Sequence, residues 1–279
     1  MVVAAVVCIA VAAAALSYVA AHGDNGPPLV DRVKVGAYLH LEGRPYRDPV
    51  APADLASMEE RIGKLDIVHY FFDWGRSFGD AVTSNLDGRD LMLSIQPVGD
   101  LVWQIKDGAQ DAHIDRFAAS ARDYHRPVYL RFAHEMNGEW MSYSAGSAGG
   151  PNAADFRGAW RRLVDRFRAQ GAVNVKFVWS PNESDFPDRP GNHLEDYWPG
   201  TEYVDIAGFD AYNWTNAEPR RGDGDDRSFD EIVQGPYQRV AEISAGKDIW
   251  LCEFGTVEPG KAAWIRDMFV STRFLDQPR

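Results

Sequence analysis

"RPVYLRFAHEMNGEW" occupies residues 126–140. Its first half is apolar and β-prone, and its second half crowds Arg131, His134, Glu135, Asn137 and Trp140 into ten positions. Polar groups at the end of a buried strand must be satisfied by one another, by water or by a ligand. In α/β folds built on parallel strands, the carboxyl ends of the strands are where ligands are met. The stretch therefore predicts a buried parallel strand that opens into a site.

Working outward, six more short β-rich runs appear: "VKVGAYL" (33–39), "DIVHYFF" (66–72), "DLMLSIQPV" (90–98), "NVKFVWS" (174–180), "VDIAGFDAY" (204–212) and "DIWLCEF" (248–254). Between them lie stretches of helical periodicity at 54–65, 114–125, 154–171, 229–244 and 261–272. The clearest is 154–171, where Phe156, Trp160, Leu163, Val164 and Phe167 keep 3.6-residue spacing and Gly171 ends the helix. Apolar strands alternating with amphipathic helices predict a parallel sheet covered by helices. Seven such units approach the eight of a (β/α)8 TIM barrel, which is the expected fold. An open doubly wound sheet is the competitor, but it usually carries a Gly-rich phosphate turn, and no G-x-G-x-x-G or Walker pattern occurs. The chain ends after the helix that follows the seventh run, so the barrel is expected to be incomplete at its C-terminus.

The first 21 residues carry no charge and read as an export signal or a membrane anchor. Residues 22–32 then form a linker and 33–279 the folded domain. A secreted protein, or one tethered to the outer face of a membrane, is expected. Lys plus Arg minus Asp plus Glu gives 29 − 41 = −12, which argues against nucleic acid and anionic membrane surfaces as partners. Nine Trp and eleven Tyr suit stacking on sugar rings, although core packing accounts for most of them.

The strand ends carry the chemistry. Run four ends in Arg131, His134, Glu135 and Asn137. Run five ends in Trp179, Ser180 and Asn182, run six in Asp210, Tyr212 and Asn213, and run seven in Glu253. Two carboxylates from strands four and seven facing each other across a barrel mouth suit a retaining glycosidase, whose carboxyl groups lie about 5–5.5 Å apart. "HEMNG" is not H-E-x-x-H, because Gly138 stands where the second His is needed, so a zincin site is excluded. The bland alternative makes Glu135 a strand-end carboxylate satisfied by Arg131.

"RFAHEMNGEW" followed downstream by "VWSPN", "VDIAGFDAYNW" and "WLCEFG" resembles glycoside hydrolase family 26, the β-mannanases and related endo-β-glycanases. The resemblance runs from about Val33 to Trp264. It implies a (β/α)8 barrel, Glu135 as acid/base and Glu253 as nucleophile. It also implies that His134 shapes the subsite at the cleaved sugar, that Arg131 orients carboxylates and sugar hydroxyls, that Trp140 forms part of a sugar platform and that Tyr212 bonds the nucleophile. Asn137, Trp179, Asn182 and Trp103 complete the expected substrate-binding set. The expected substrate is a β-linked polysaccharide, with mannan first and mixed-linkage glucan or β-1,3-xylan behind it. The alternative is a carbohydrate-binding domain without catalysis. No metal or organic cofactor is expected, and a monomer is. Family members complete the floor under the cleaved sugar with an aromatic residue from the eighth strand, and here the chain ends first.

Smaller signals remain. "NES" (182–184) and "NWT" (213–215) match the N-glycosylation pattern but fall at strand ends, so they read as chance matches or sugar-binding Asn side chains. The Asp-rich run 220–231 reads as a solvated loop, and Cys252, inside an apolar run beside a carboxylate, as a poor nucleophile. His40, Glu42, His69, Asp73 and Trp74 are candidates for distal sugar contacts.

Overall fold

The computed structural model describes residues 36–38, 52–62, 64–82, 86, 88–214, 227–244, 246–256, 260–261 and 263–264. The leader, the linker, His40, Glu42, most of the Asp-rich run and most of the helix expected at 261–272 lie outside the described residues.

Seven strands follow one another around a single sheet: β1 (Gly36–Tyr38), β2 (Ile67–Asp73), β3 (Asp90–Gln96), β4 (Val128–Phe132), β5 (Val175–Trp179), β6 (Ile206–Asn213) and β7 (Ile249–Thr256). Every neighbouring pair is parallel. Successive parallel strands require a crossover, and helices supply most of them. These are α1 (Pro52–Ile62), α2 (Phe78–Ala81), α3 (Leu101–Asp107), α4 (Asp111–Asp123), α5 (Ala153–Ala169) and α6 (Phe229–Ile243). Between β5 and β6 the chain makes two 3-10 turns instead, Leu194–Tyr197 and Thr201–Tyr203.

Helix α5 forms where the spacing predicts. Asn152 caps it by accepting a hydrogen bond from the Asp155 amide at 2.9 Å, and all five apolar positions named above are buried. Its solvent-side arginines pair with α4, Arg162 with Asp111 at 2.7 Å and Arg166 with Asp115. Helix α6 starts at a capping box formed by Ser228 and Glu231.

The central strands β2 to β4 and β6 are buried on both faces while β7 is half-buried, and the pleat sorts their side chains. Val128, Leu130 and Phe132 of β4 join the main core beneath the helices, while Tyr129 and Arg131 point the other way. Ile67, Met92, Tyr129, Val178 and Ile206, one from each of β2 to β6, form an inner apolar layer against which Trp250 and Cys252 of β7 pack. The Tyr129 and Trp250 ring centroids are 4.7 Å apart. Those residues sit on β4 and β7, which a flat sheet would hold about 14 Å apart at ~4.8 Å per strand. The sheet is therefore curled into an open barrel with a filled floor. Among the described residues no strand pairs β7 to β1.

Candidate active site

Two residues further along the inward-facing positions the layer changes character. Ser94 of β3 lies opposite Arg131 of β4, and Asp210 of β6 opposite Glu253 of β7. The Arg131 guanidinium, fully buried, organises this polar layer. Its Nε donates to Ser94 Oγ at 2.6 Å and its Nη1 to both Asp210 oxygens at 2.7 and 2.9 Å, while Nη2 donates to Glu253 Oε1. Ser180 Oγ also donates to Asp210, at 2.8 Å, and His69 Nε2 meets Ser94 Oγ at 2.7 Å. Burial alone would weaken the guanidinium's hold on its proton, but the charges of Asp210 and Glu253 more than offset it, and Arg131 stays a cation. Burial pushes the Asp210 carboxyl well up, with Glu253 and Glu135 adding to it and Arg131 opposing. Burial likewise keeps the His69 ring neutral, and the nearby Arg131 charge acts in the same direction.

Glu253 reaches this layer because β7 is irregular. Phe209 pairs with Leu251 and Asp210 with Glu253, so Cys252 is an extra residue at a bulge. Regular alternation would put Trp250 and Cys252 inside and Glu253 outside. The bulge returns the carboxylate to the interior. There Glu253 Oε2 accepts the Tyr212 hydroxyl at 2.7 Å, opposite the Arg131 contact on Oε1. Burial first and the Glu253 charge second push the Tyr212 phenol well up, so it remains a donor. The Cys252 thiol is pushed up to about 12, chiefly by burial, which makes it a poor nucleophile at neutral pH.

Glu135 is delivered by backbone conformation. Ala133 and Glu135 both sit in the left-handed region, at φ 47° and 52°, uncommon for residues with a side chain. Two backbone hydrogen bonds hold that turn, Ala133 N–H to Ile95 O and Glu135 N–H to Ser180 O, each 2.9 Å. Strain of about 1–3 kcal/mol per residue of this kind persists only where the surroundings enforce it, and it gathers at functional sites. The Glu135 carboxyl accepts from Asn182 Nδ2 at 2.8 Å on Oε1 and from Trp140 Nε1 at 2.6 Å on Oε2. Burial raises its affinity for a proton and the Glu253 charge raises it further, with Asn182, Trp140 and Arg131 opposing. His134, between the two left-handed residues, is buried with its ring 5.5 Å from Phe71.

The structure thus brings together Glu135, Glu253, Arg131, Trp140, Asn182 and Tyr212, with His134 beside them. Three expected sugar contacts lie elsewhere. Trp179 is the last residue of β5, and because Val178 faces inward the pleat turns Trp179 out into the helical layer, edge-on to Trp198 at 5.0 Å. Trp103 sits on α3 and donates its indole N–H to Asp155 in the first turn of α5, at 3.1 Å. Asn137 is fully buried, with its amide turned into the loop after β5. The Asn182 and Asn213 amides, which head the two glycosylation-like triplets, are also committed, to Glu135 and to the Arg227 carbonyl respectively.

Asp210, Ser180 and Ser94 belong to the site and were not among the expected binding residues. The Asp interrupting the apolar run "IAGFDAY" (206–212) was the signal available for the first of them. A buried carboxylate implies a cation across the barrel, and Arg131 is that cation.

A family model described as Glycosyl hydrolase family 26 matches residues 107–247, just over half of the chain. Endoglucanase H of Acetivibrio thermocellus is 34% identical over 252 residues, covering 86% of this chain and 26% of that protein. A β-1,3-xylanase (TXYA) of a Vibrio species is 33% identical over 40% of this chain and 24% of its own length. The chain therefore spans about a quarter of the length of these curated relatives. Among solved structures, a modular endo-β-1,4-mannanase from Cellulomonas fimi superposes with a TM-score of 0.60 at 17% identity, over 97% of this chain and 68% of that one. The Bacillus subtilis mannanase man26 gives 0.53 at 19% identity, over 80% and 71%. At these identities the superpositions speak for the fold, and both neighbours share the curled parallel barrel.

Proposed function

The chain belongs to glycosyl hydrolase family 26, and from that premise we propose that it is a retaining endo-β-glycanase with Glu135 as acid/base and Glu253 as nucleophile. The observation that carries the assignment is the opposed surroundings of the two carboxylates. Glu135 is buried and repelled by Glu253, which favours the protonated form a general acid needs. Glu253 is gripped by Arg131 on one oxygen and by the Tyr212 hydroxyl on the other, which fix its orientation.

In the first step Glu135 gives its proton to the glycosidic oxygen as the bond from that oxygen to the anomeric carbon breaks, and Glu253 forms an ester to the same carbon. In the second, Glu135, now ionised, takes a proton from water, whose oxygen attacks the anomeric carbon and releases Glu253. Arg131 and Tyr212 hold the nucleophile through both steps.

Endoglucanase H aligns over most of the chain, and this supports a β-glucan as substrate. Mannan, placed first by sequence motifs alone, becomes the second candidate, supported by two mannan endo-1,4-β-mannosidases that align over 31% of the chain at 34% and 30% identity. The uncharged leader supports work outside the cytoplasm, free or tethered. The test is reducing-sugar release from mixed-linkage glucan, mannan, β-1,3-xylan and cellulose, with Glu253→Ala as control. Release from one polymer that vanishes in the control supports the assignment and names the substrate. No release from any polymer by a folded domain overturns it in favour of carbohydrate binding without catalysis.

A further inference from the structure

Asn182 carries one of the two hydrogen bonds to the acid, yet it lies in the loop after β5, outside any regular element. An amide side chain can present either its N–H2 or its oxygen, and only the first can donate to a carboxylate. Two features fix its presentation. The Ser184 backbone N–H donates to Asn182 Oδ1 at 3.0 Å, so the amide nitrogen must face Glu135. The peptides flanking Asn182 bridge to Asp210 of β6, Glu183 N–H to Asp210 O at 2.8 Å and Asp210 N–H to Pro181 O at 2.9 Å, and the N–H and carbonyl of Asn182 itself are held by one side chain, that of Asn137. Asn137 Oδ1 accepts the Asn182 N–H at 2.8 Å, and Asn137 Nδ2 donates to the Asn182 carbonyl at 3.1 Å, imitating one rung of a β-ladder.

The same Nδ2 reaches the Ser184 carbonyl at 3.2 Å and Asp185 Oδ1 at 2.9 Å. Asp185 also accepts the Leu194 N–H at 2.8 Å and pairs with Arg239 of α6 at 2.7 Å. The Asn137 carbonyl accepts the Phe186 N–H and Asn192 Nδ2, both at 2.9 Å. Asn137 thus stands two residues after the acid and ties the loop that carries Asn182 to the turn that carries Glu135.

We propose that Asn137 is a positioning residue for the acid: it clamps the Asn182 backbone so that the Asn182 amide stays aimed at Glu135 Oε1. The role rests on Glu135 being the acid/base, because a donor on Oε1 stabilises the ionised form that accepts a proton from water in the second step. Losing the clamp frees the Asn182 amide, and Glu135 then holds its proton more tightly.

The experiment is a 13C NMR titration of the protein labelled at glutamate Cδ, with Glu135→Gln to assign the resonance. It is run on the full chain and on Asn137→Ala, Asn182→Ala and the double variant. Asn137→Ala and Asn182→Ala should both move the Glu135 midpoint to higher pH, and the double variant should move it no further than Asn182→Ala alone, because the two act through one contact. A midpoint that moves in Asn182→Ala and stays in Asn137→Ala overturns the proposal, as do additive shifts. If Asn137→Ala does not fold, Asn137→Ser, which keeps one hydrogen-bonding atom at the site, is read by the same criteria. The titration needs no substrate. A shift in a domain that cleaves nothing in the polymer panel would leave the clamp standing and overturn the hydrolase assignment, and an active domain with an unmoved midpoint would do the reverse.

Discussion

Replacing Arg131 with Met removes the cation from a layer in which Asp210 is wholly buried and, among the described residues, Ser180 is the other side chain that bonds it. Two routes give the size of the loss. Breaking a buried ion pair by deleting one partner costs about 3–5 kcal/mol. Alternatively, Asp210 escapes its uncompensated charge by taking up a proton. At pH 7 that costs at most about 4 kcal/mol, at about 1.36 kcal/mol for each unit above an ordinary Asp value of ~3.9. The second route makes the loss pH-dependent. Burial already holds the Asp210 carboxyl above its unfolded value in the parent, and losing Arg131 raises it further, so the extra loss is small at low pH and grows as pH rises. At pH 5 the expected loss is below about 1.5 kcal/mol. Thermal unfolding of Arg131→Met against the parent at pH 5 and pH 7 reads this directly, at roughly 2 °C or more per kcal/mol. Adding Asp210→Asn should recover most of the pH 7 loss while the enzyme stays inactive, since Glu253 has still lost Arg131. Equal losses at the two pH values, or further destabilisation by Asp210→Asn, would refute the ion pair as the organiser of this layer.

The acid role proposed for Glu135 needs it protonated, and burial with the Glu253 charge raises its proton affinity, so kcat/KM should fall as pH rises through a value above the ordinary glutamate range. An alkaline limb within that range would contradict the role. Glu135→Ala should cut turnover of polysaccharide by about 10²–10⁴-fold, yet spare the glycosylation of an aryl glycoside with a good leaving group, and equal losses on both would remove the acid assignment. Tyr212→Phe deletes a 2.7 Å donor to the nucleophile; at about 1.5–3 kcal/mol for a hydrogen bond to a charged group, kcat should drop roughly 10–100-fold, and a change within twofold would count against it. Gly208→Ala would place a Cβ 2.6 Å from Cys252 Sγ and 2.7 Å from the Trp250 carbonyl oxygen. Overpacking of about 1–3 kcal/mol should appear in denaturant unfolding and persist in a Cys252→Ala background, because the carbonyl cannot retreat; parental stability would show that β7 yields freely.

The seven strands were legible because parallel strands under helices are written as short apolar runs, and each run overlaps its strand within a few residues. The helix at 154–171 was legible for the same kind of reason. The two acidic residues were legible as well, since each interrupts an apolar run at its carboxyl end. Which face a side chain takes was harder. Trp179 and Ser180 are neighbours, and only the inward orientation of Val178 decides that the serine enters the site and the tryptophan leaves it. The place of Trp103 was hard to read for another reason, because the short helix α3 on which it lies carries too few positions to register a period. Asn137 reads as one more polar residue in a motif, and its clamp on Asn182 is visible only once a chain separation of 45 residues has been closed.

The bulge in β7 makes Glu253's place in the barrel a matter of counting. Any segment grafted between Ile249 and Glu253 that keeps every side chain but has an even pleat would deliver the carboxylate into the helical layer, with nothing in its composition to reveal the fault. Cys252 is thus a spare residue in the count: with it removed, an even pleat would turn Leu251 outward and Glu253 inward, still opposite Asp210. Deleting Cys252 should therefore keep the carboxylate in the barrel, and substitutions at position 252 by small residues should pass almost unnoticed.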